Sequence, residues 1–255
     1  MENLRIEGIN IAYTRHGKGP PLILIHGYPL DHTIWEGVKP YLDENFDLII
    51  PDLRGFGMSE TKALRSSIRD YSLDLKVLLD HLKLKKAYFA GHSMGGYVAL
   101  AFAEEYPEQV AGMALVSSQT LADTPERQEN RLMTAKQVMS DGVGIVVESM
   151  TPKLSTDEQV REFVRQLISR QTSLGIFNAL NAMAGRSDSS ELFSTFEFPV
   201  VIIHGDDDAL IPVDRGREMK ALLPSAHYFE LAGQGHMTMM EKPQDVAKAL
   251  TTLVS

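Results

Sequence analysis

Short, continuous apolar segments recur along this chain of 255 residues, and each is followed within two residues by Gly, Asp or Ser. Continuous apolar runs of this kind suit strands that are buried on both faces, which is the habit of parallel sheets. The runs are Leu22–His26, Leu48–Ile50, Ala87–Ala90, Met113–Val116 and Val200–His204. Two further segments, Ile9–Thr14 and Ala226–Leu231, are also strand-like. The sequence therefore predicts a sheet whose two faces are both covered by other elements.

Helical patterns separate several of these segments. Within Tyr71–Leu82, leucines recur at the i, i+3, i+4 and i+7 spacing of one helix face, at Leu75, Leu78, Leu79 and Leu82. Further helices are predicted over Gly95–Tyr106, Val213–Leu223 and Pro243–Val254. Strands that alternate with helices predict an α/β fold, with a mostly parallel central sheet and helices on its two faces.

One stretch, residues 121–193, breaks this alternation. It holds helical segments without a convincing buried strand, at Glu126–Met139, Thr156–Gln171 and Ser173–Ala184. We predict a core domain made of residues 1–120 and 194–255, with residues 121–193 inserted as a helical cap over a site. The alternative is an ordinary crossover connection that has grown long.

Composition excludes several classes of function. The chain has 25 Lys and Arg against 34 Asp and Glu, a formal charge of −9, so nucleic acid and anionic membrane surfaces are not expected partners. There is no cysteine, which excludes disulfides and thiolate chemistry. The N-terminal segment lacks the apolar core of a signal peptide, and no apolar run has the ~20 residues of a membrane helix. A cytoplasmic protein is predicted, and whether it is a homodimer is left open.

The segment Gly91-His-Ser-Met-Gly-Gly96 carries the strongest signal for chemistry. It follows an apolar strand and opens a helix, which is the context in which a G-x-S-x-G turn presents a serine hydroxyl at the top of a sheet. The N–H groups of the following helix favour negative charge at that place. Ser93 is therefore a candidate nucleophile, and the alternative is a glycine-rich turn without chemistry.

A serine hydroxyl needs a base, and the base needs an acid that orients it. Three consecutive acids, Asp206 to Asp208, follow the strand Val200–His204, and His236 follows the strand-like Ala226–Leu231. Both loops come after strands, so both can reach the sheet edge where Ser93 lies.

These motifs together resemble the α/β-hydrolase fold family, which includes carboxylesterases, enol-lactonases, cofactor-free haloperoxidases and C–C bond hydrolases. The resemblance covers nearly the whole chain. It rests on His26-Gly-Tyr-Pro29, Asp52-Leu-Arg-Gly-Phe-Gly-Met-Ser59, the Ser93 turn, Gly205-x-x-Asp208-x-x-x-Pro212 and Gly235-His236.

The resemblance implies a role for each of these residues. Ser93 is the nucleophile, His236 the base and Asp208 the acid; Asp206 is the alternative acid, because in an extended chain it points to the same side as Asp208. The oxyanion hole is assigned to the backbone N–H groups of Tyr28 and Met94. For Tyr28, the alternative is a plain turn between a strand and a helix. Asp52–Ser59 is predicted to be structural, with Arg54 binding acidic or carbonyl groups.

No metal and no cofactor are predicted, because no histidine pair has a metal-binding spacing such as H-E-x-x-H. His26 and His204 are expected to bind nearby backbone groups, and His92 to pack beside the Ser93 turn. The remaining histidines are expected on the surface or in loops: His16, His32, His81 and His227.

The substrate pocket is predicted from flexible apolar side chains, which often line adaptable sites. The candidates are Met150, Phe177, Met237 and Met240. A purely structural role in the core is the alternative for this set. No basic cluster stands out in residues 121–193, since Arg161, Arg165 and Arg170 have the spacing of a solvated helix face. We therefore predict a small and mainly apolar substrate.

Three functions are consistent with the sequence. The first is a serine hydrolase that cleaves a small-molecule ester or lactone through an acyl-serine intermediate. The second uses the same triad for C–C bond hydrolysis or for perhydrolysis of the haloperoxidase type. The third is a small-molecule receptor built on the same fold.

Overall fold

The computed structural model of the protein describes residues 1–62 and 66–254. Across these residues, eight strands form one sheet in the order β1-β2-β4-β3-β5-β6-β7-β8. The strands β1 and β2 and the strands β2 and β4 pair antiparallel, and the remaining neighbours pair parallel. The strands are β1 Glu2–Ile6, β2 Ile9–Gly17, β3 Pro21–Ile25, β4 Asp47–Pro51, β5 Ala87–His92, β6 Val110–Val116, β7 Val200–Gly205 and β8 His227–Leu231. The predicted α/β fold with a mostly parallel sheet is confirmed.

Helices connect the parallel strands and cover the sheet. Outside the segment between β6 and β7 they are α1 Lys39–Leu42, α2 Ile68–His81, α3 Met94–Glu105, α9 Asp214–Leu222, α10 Thr238–Glu241 and α11 Pro243–Thr251. The predicted helices at α2, α3, α9 and α11 are present, with ends that differ by a few residues. Helix α2 begins at a capping box, in which Ser67 and Asp70 satisfy each other's backbone N–H groups.

The strands that were predicted from apolar runs are the buried centre of the sheet. Every residue of β7 is buried, and in β3 and β5 a single residue each is only half-buried. Strand β1 was not predicted, because its residues are mostly exposed at the edge of the sheet and carry no apolar run. Its register against β2 pairs Glu2 with Tyr13 and Ile6 with Ile9.

The segment between β6 and β7 is helical, as the sequence predicted. It contains α4 Pro125–Asp141, α5 Gly144–Leu154, α6 Glu158–Ser169, α7 Ser173–Ala184 and α8 Ser190–Ser194. We call α4 to α8 the inserted helices; α4 packs on α7, and α5 packs on α6. Helix α5 was not predicted, since it begins at a glycine and contains Pro152. The division of the chain into a core domain and a cap domain stays a prediction.

The turn Asp52–Ser59 joins the sheet to the inserted helices. Arg54 forms a buried ion pair with Asp74 of α2, with Nη2 2.5 Å from Oδ1 and Nε 2.6 Å from Oδ2. Gly55 lies directly against Gly175 of α7. The structural role that was predicted for this turn agrees with these contacts.

None of the helices within residues 1–62 and 66–254 has the length and apolar character that crossing a membrane requires.

The contact between Gly55 and Gly175 predicts a difference between two glycine substitutions. A Cβ atom at Gly175 would lie 1.9 Å from the Gly55 carbonyl oxygen, which is backbone and cannot move aside alone. We expect Gly175→Ala to lower the free energy of unfolding by about 1–3 kcal/mol, as overpacking does elsewhere. Urea unfolding followed by circular dichroism measures this.

The matched control is Gly144→Ala at the start of α5, where a Cβ atom would meet nothing within 4 Å. This variant should be unchanged or more stable by up to about 1 kcal/mol, because Ala has the higher helix propensity. Equal stability of the two variants would show that α7 does not need the close approach to Gly55.

Candidate active site

Ser93 stands between the end of β5 and the start of α3 in a backbone conformation that few non-glycine residues adopt. Its φ is 51° and its ψ is −115°. The turn is tight because Gly91 and Gly95 face each other: a Cβ atom at Gly91 would lie 2.3 Å from the Gly95 carbonyl oxygen. The two glycines of the G-x-S-x-G motif have no Cβ atom, and this lets the backbone turn back on itself.

Strand β6 and its following residues hold the Ser93 turn in place. The Ser93 N–H donates to the Val116 carbonyl oxygen over 2.9 Å, and the Ser118 hydroxyl donates to the Ser93 carbonyl oxygen over 2.8 Å. Ser118 was not singled out from the sequence. Its position just after a buried strand, next to the strand that carries Ser93, is the signal that could have found it.

Asp208 and His236 meet across the loops that follow β7 and β8. Asp208 Oδ2 lies 2.7 Å from His236 Nδ1, and both side chains are buried. The other carboxylate oxygen, Oδ1, accepts the backbone N–H groups of Leu210 at 2.8 Å and Ile211 at 3.0 Å. The carboxylate is therefore held by the backbone on one side and faces the imidazole on the other.

These contacts determine the charge of Asp208. Burial alone would raise the pKa of its carboxyl. The facing His236 ring and the hydrogen bonds from His236 and Ile211 outweigh burial and hold the pKa of Asp208 well below its ordinary range. His204 also lowers the pKa of Asp208, with its Nε2 3.5 Å from Asp208 Oδ2 and 2.8 Å from the Ile211 carbonyl oxygen. Asp208 is a carboxylate at neutral pH.

The two neighbouring acids do not reach His236. Asp206 is exposed, and its Oδ1 accepts the Gly233 N–H over 2.6 Å, ahead of the histidine loop. Asp207 is exposed as well. Of the three consecutive acids, Asp208 is the one that the structure brings to the imidazole.

His92 links the Ser93 turn to the His236 loop. Its Nε2–H donates to the His236 carbonyl oxygen over 3.0 Å, and the two ring centroids are 4.7 Å apart. Burial, followed by the charge of the nearby His236, lowers the pKa of His92 well below its ordinary value. His92 is therefore neutral, and it ties His236 to the residue next to Ser93.

The inserted helices also hold the His236 loop. The His236 N–H donates to the Leu154 carbonyl oxygen at the end of α5 over 3.1 Å. Glu241 of α10 accepts the Gly235 N–H at 2.8 Å and the Ser155 hydroxyl at 2.5 Å. Glu241 was not predicted, because its role depends on two segments that are far from it in sequence.

The backbone N–H groups of Tyr28 and Met94 border the same place. Met94 is the first residue of α3, where an N–H has no partner within the helix. Within residues 1–62 and 66–254, no hydrogen-bond acceptor is found for either amide. Gly27 lets the Tyr28 loop come close, since a Cβ atom there would lie 3.0 Å from Ser93 Cβ.

The other histidines have mostly the surroundings that the sequence indicated. His26 is buried, donates from Nδ1 to the Gly27 carbonyl oxygen at 2.9 Å and accepts the Leu53 N–H at Nε2, also at 2.9 Å. The prediction for His32 needs correction, because this residue is half-buried and its Nδ1 lies 2.7 Å from the buried Asp52 Oδ1. Its partner Asp52 directly follows β4, and local sequence does not reveal this pairing.

Asp31, His32 and Asp52 form the one group of potential metal ligands within the described parts of the chain, with ligand atoms within 4.8 Å of one another. Their atoms already bond to protein: Asp52 Oδ2 accepts the Met58 N–H at 2.8 Å, and Asp31 Oδ1 accepts the Thr33 N–H at 3.0 Å. This arrangement explains the group without an ion.

A cavity of about 330 Å³ opens over Ser93, between the sheet and the inserted helices. Tyr28 and Ser93 form its floor, and Leu180 and Met183 of α7 give it an apolar wall. Of the predicted pocket residues, Met150 lines this cavity.

The other three predicted pocket residues do not line the cavity. Met237 is completely buried in the hydrophobic core, and Met240 and Phe177 pack against that core while half-buried. Their apolar character suits a core as well as a pocket, and only packing decides between them.

The cavity also carries a basic wall that the sequence analysis missed. Arg127 and Arg131 of α4 and Lys153 of α5 line it, and no acidic residue does so among the described residues. The two arginines stand one helical turn apart, and the lysine belongs to the helix that was not predicted. The expectation that no basic cluster stands out in residues 121–193 therefore needs correction.

A strained serine at the end of a central parallel strand, a buried carboxylate–imidazole pair and a cavity above them define the class of α/β hydrolases. The sequence matches the profile of the alpha/beta hydrolase fold family over residues 20–243, and the chain belongs to this family.

Solved and curated relatives show what the chain is similar to. A thermophilic esterase from Thermogutta terrifontis, solved with malate bound, is 33% identical with a TM-score of 0.95, covering 100% of this chain and 98% of that one. The enol-lactonase from Burkholderia xenovorans LB400 shares the fold with a TM-score of 0.91 at 22% identity, covering 99% of both chains. The 2-hydroxy-6-oxononadienedioate/2-hydroxy-6-oxononatrienedioate hydrolase of a Pseudomonas species is 25% identical over 92% of this chain and 84% of its own length.

The buried Asp208 carboxyl predicts how stability depends on pH. In an unfolded chain an Asp carboxyl binds its proton near pH ~3.9, whereas the pKa of folded Asp208 lies well below its ordinary value. As the pH falls, the unfolded chain takes up this proton first, so the stabilisation present above about pH 5 is lost progressively below it. We expect the free energy of unfolding, from urea titrations between about pH 5 and 3, to fall more steeply for the wild type than for Asp208→Asn.

Asp207→Asn is the matched control, because this neighbouring carboxylate is exposed. Its pH dependence should follow that of the wild type. If the curves of the wild type and of Asp208→Asn run parallel, the pKa of Asp208 is not lowered by its contacts.

Proposed function

We propose that this protein is a serine hydrolase that cleaves a carboxylic ester or lactone of a small molecule through an acyl-serine intermediate. The observation that carries the proposal is the buried pair of Asp208 Oδ2 and His236 Nδ1, 2.7 Å apart, tied through His92 to the strained Ser93 turn. The Thermogutta terrifontis esterase, at 33% identity over the whole chain, supports the same reaction type.

In the first step the Ser93 Oγ attacks the substrate carbonyl carbon. His236 Nε2 takes the hydroxyl proton, and the imidazolium that forms is stabilised by the Asp208 carboxylate. The carbonyl oxygen becomes an oxyanion, which the N–H groups of Tyr28 and Met94 bind; such preorganised donors are worth about 2.7–4 kcal/mol each. The tetrahedral intermediate expels the alcohol oxygen, which receives the proton from His236.

In the second step a water molecule releases the acyl group. His236 takes a proton from the water, whose oxygen attacks the acyl carbon, and the same two N–H groups bind the second oxyanion. When the C–O bond to Ser93 breaks, His236 returns the proton to Oγ. A lactone reacts in the same way, except that its alcohol group remains covalently attached to the carboxylic acid that is released.

The electrostatics of the site suit this cycle. Asp208 is ionised, and the backbone N–H groups of Leu210 and Ile211 fix its orientation. His92 is neutral, so it adds no positive charge that would oppose the imidazolium on His236. Because both groups are buried, the attraction between carboxylate and imidazolium is stronger than it would be in water.

The first test of the proposal removes the nucleophile. Ser93→Ala should lower kcat on p-nitrophenyl butyrate by about 10⁴-fold or more, because no covalent intermediate can form. The wild type should react with a fluorophosphonate probe, and peptide mapping should find the label on Ser93. Unchanged circular dichroism of the variant controls for folding, and turnover near the wild-type level would contradict the proposal.

The three consecutive acids provide an internal comparison. Asp208→Asn should lower kcat by about 10³–10⁴-fold, because the amide cannot stabilise the imidazolium and favours the wrong tautomer. Asp206→Asn and Asp207→Asn keep the pair with His236 and should stay within a few-fold of the wild type. Similar losses in all three variants would refute Asp208 as the acid.

A second candidate function is hydrolysis of a C–C bond. It is favoured by the relative from a Pseudomonas species that is named as a hydrolase of 2-hydroxy-6-oxononadienedioate and 2-hydroxy-6-oxononatrienedioate. The same serine, histidine and aspartate would act on a vinylogous diketone. Turnover of such a ketone, followed by loss of its absorbance, at a higher kcat/KM than that of every ester would favour this candidate over ester hydrolysis.

A further inference from the structure

The basic wall of the cavity is unexpected for this chain. The protein has a formal charge of −9, yet within the described parts of the chain the cavity over Ser93 is lined by Arg127, Arg131 and Lys153 and by no acid. Such a concentration of one sign of charge in a cleft draws ligands of the opposite charge.

Arg127 has unused hydrogen-bonding capacity. It is half-buried on α4, and its Nη2 donates to the Leu210 carbonyl oxygen over 3.2 Å. Within residues 1–62 and 66–254, no carboxylate lies within 4 Å of it. A guanidinium has five N–H donors, and the bond to Leu210 leaves most of them available. Leu210 also donates its N–H to Asp208, so this contact keeps Arg127 near the reacting groups.

Arg131 is fixed in place and still contributes positive charge. Its Nε lies 2.5 Å from Asp123 Oδ2, and Arg186 Nη2 lies 2.9 Å from Oδ1 of the same carboxylate. Burial alone would raise the pKa of Asp123, but the two guanidinium groups lower it below its ordinary value, so it is ionised. One carboxylate shared by two guanidinium groups leaves one positive charge beside the cavity.

Lys153 adds a third charge from the opposite helix. It is exposed near the end of α5, and no acidic side chain pairs with it among the described residues. The apolar side chains of Leu180 and Met183 line the same cavity. The cavity therefore offers an apolar wall for a short carbon chain together with cationic groups for a negatively charged end.

We propose that the natural substrate is a small ester or lactone that carries a free carboxylate remote from its scissile carbonyl, and that Arg127 and Lys153 select it. The substrate class rests on the proposed ester hydrolysis at Ser93. A guanidinium binds a carboxylate through two parallel hydrogen bonds, and the ammonium of Lys153 adds attraction without requiring a fixed geometry. Arg131 strengthens the field but is committed to Asp123.

The test compares esters that differ only in charge. Monoethyl succinate, glutarate and adipate carry a carboxylate where ethyl butyrate, valerate and hexanoate carry a methyl group. O-butyrylglycolate is related to ethyl butyrate in the same way and carries its carboxylate on the alcohol side. We expect the wild type to prefer at least one charged ester over its neutral partner by tenfold or more in kcat/KM, with a preference that shrinks as salt is added.

The variants assign this preference to residues. Arg127→Gln and Lys153→Gln should each lower the ratio of charged to neutral kcat/KM by about threefold or more, and the double variant should bring it close to one. Arg165→Gln is the matched control, because Arg165 is an exposed arginine on α6 outside the cavity. Its ratio should stay within twofold of the wild type.

Three outcomes would overturn the inference in different ways. Equal or faster turnover of every neutral ester refutes the anionic substrate and leaves ester hydrolysis standing. A charge preference that survives in the double variant refutes the role of Arg127 and Lys153. Tighter competitive inhibition by inorganic phosphate than by succinate or glutarate refutes the assignment of a carboxylate.

Failure of the proposed function is visible separately. In that case neither ester series is turned over, and no fluorophosphonate labels Ser93. In that case the inference is tested without turnover, by measuring the binding of the monoethyl esters to Ser93→Ala by calorimetry. Binding that weakens tenfold on adding Arg127→Gln supports the carboxylate site, and absence of binding overturns it.

Discussion

The site depends above all on one tight turn at the end of the central strand β5. Ser93 has a φ of 51°, a conformation that costs a non-glycine residue about 1–3 kcal/mol. The surroundings offset this cost, because Val116 and Ser118 hold the turn by hydrogen bonds on one side and α3 anchors it on the other. Ten of the twelve residues of α3 are buried. The serine therefore cannot relax without breaking the packing of α3 on the sheet, and the hydroxyl stays at the carboxyl end of the parallel strand β5.

Charge is distributed in the molecule so that each group supports its neighbour. The buried Asp208 is ionised because backbone N–H groups and an imidazole surround it, and the neutral His92 links its partner His236 to the serine turn. The inserted helices contribute twice. Through Leu154 they bind the backbone of the histidine loop, and through α4 and α5 they bring positive charge to the cavity. The elements that shape the cavity thus also hold the His236 loop.

Elements with a strong local signal in the sequence were predicted, and elements with a weak one were missed. Buried strands were predictable because a strand covered on both faces must be apolar throughout, as Val200–Gly205 is. Strand β1 was missed because an edge strand needs no apolar run. Helix α5 was missed because it contains a glycine and a proline, which are not typical of a helix. Met237 was misplaced because a methionine suits a core and a pocket equally. The basic wall was missed since Arg127 and Lys153 come together only when α4 and α5 fold over the sheet.

The amino-acid sequence alone determined the order of the buried strands and of the helices between them, the glycine spacing of the Ser93 turn and the short set of residues that can perform acyl transfer. These properties are local, because they arise from apolar periodicity and from the space that a missing Cβ leaves. The family resemblance already favoured Asp208 among the three adjacent acids, whereas tertiary structure alone decided what holds His236 and which charges surround the cavity. Those outcomes depend on distances between segments that are far apart along the chain, and such distances exist only after the sheet has brought the ends of β5, β7 and β8 to one edge.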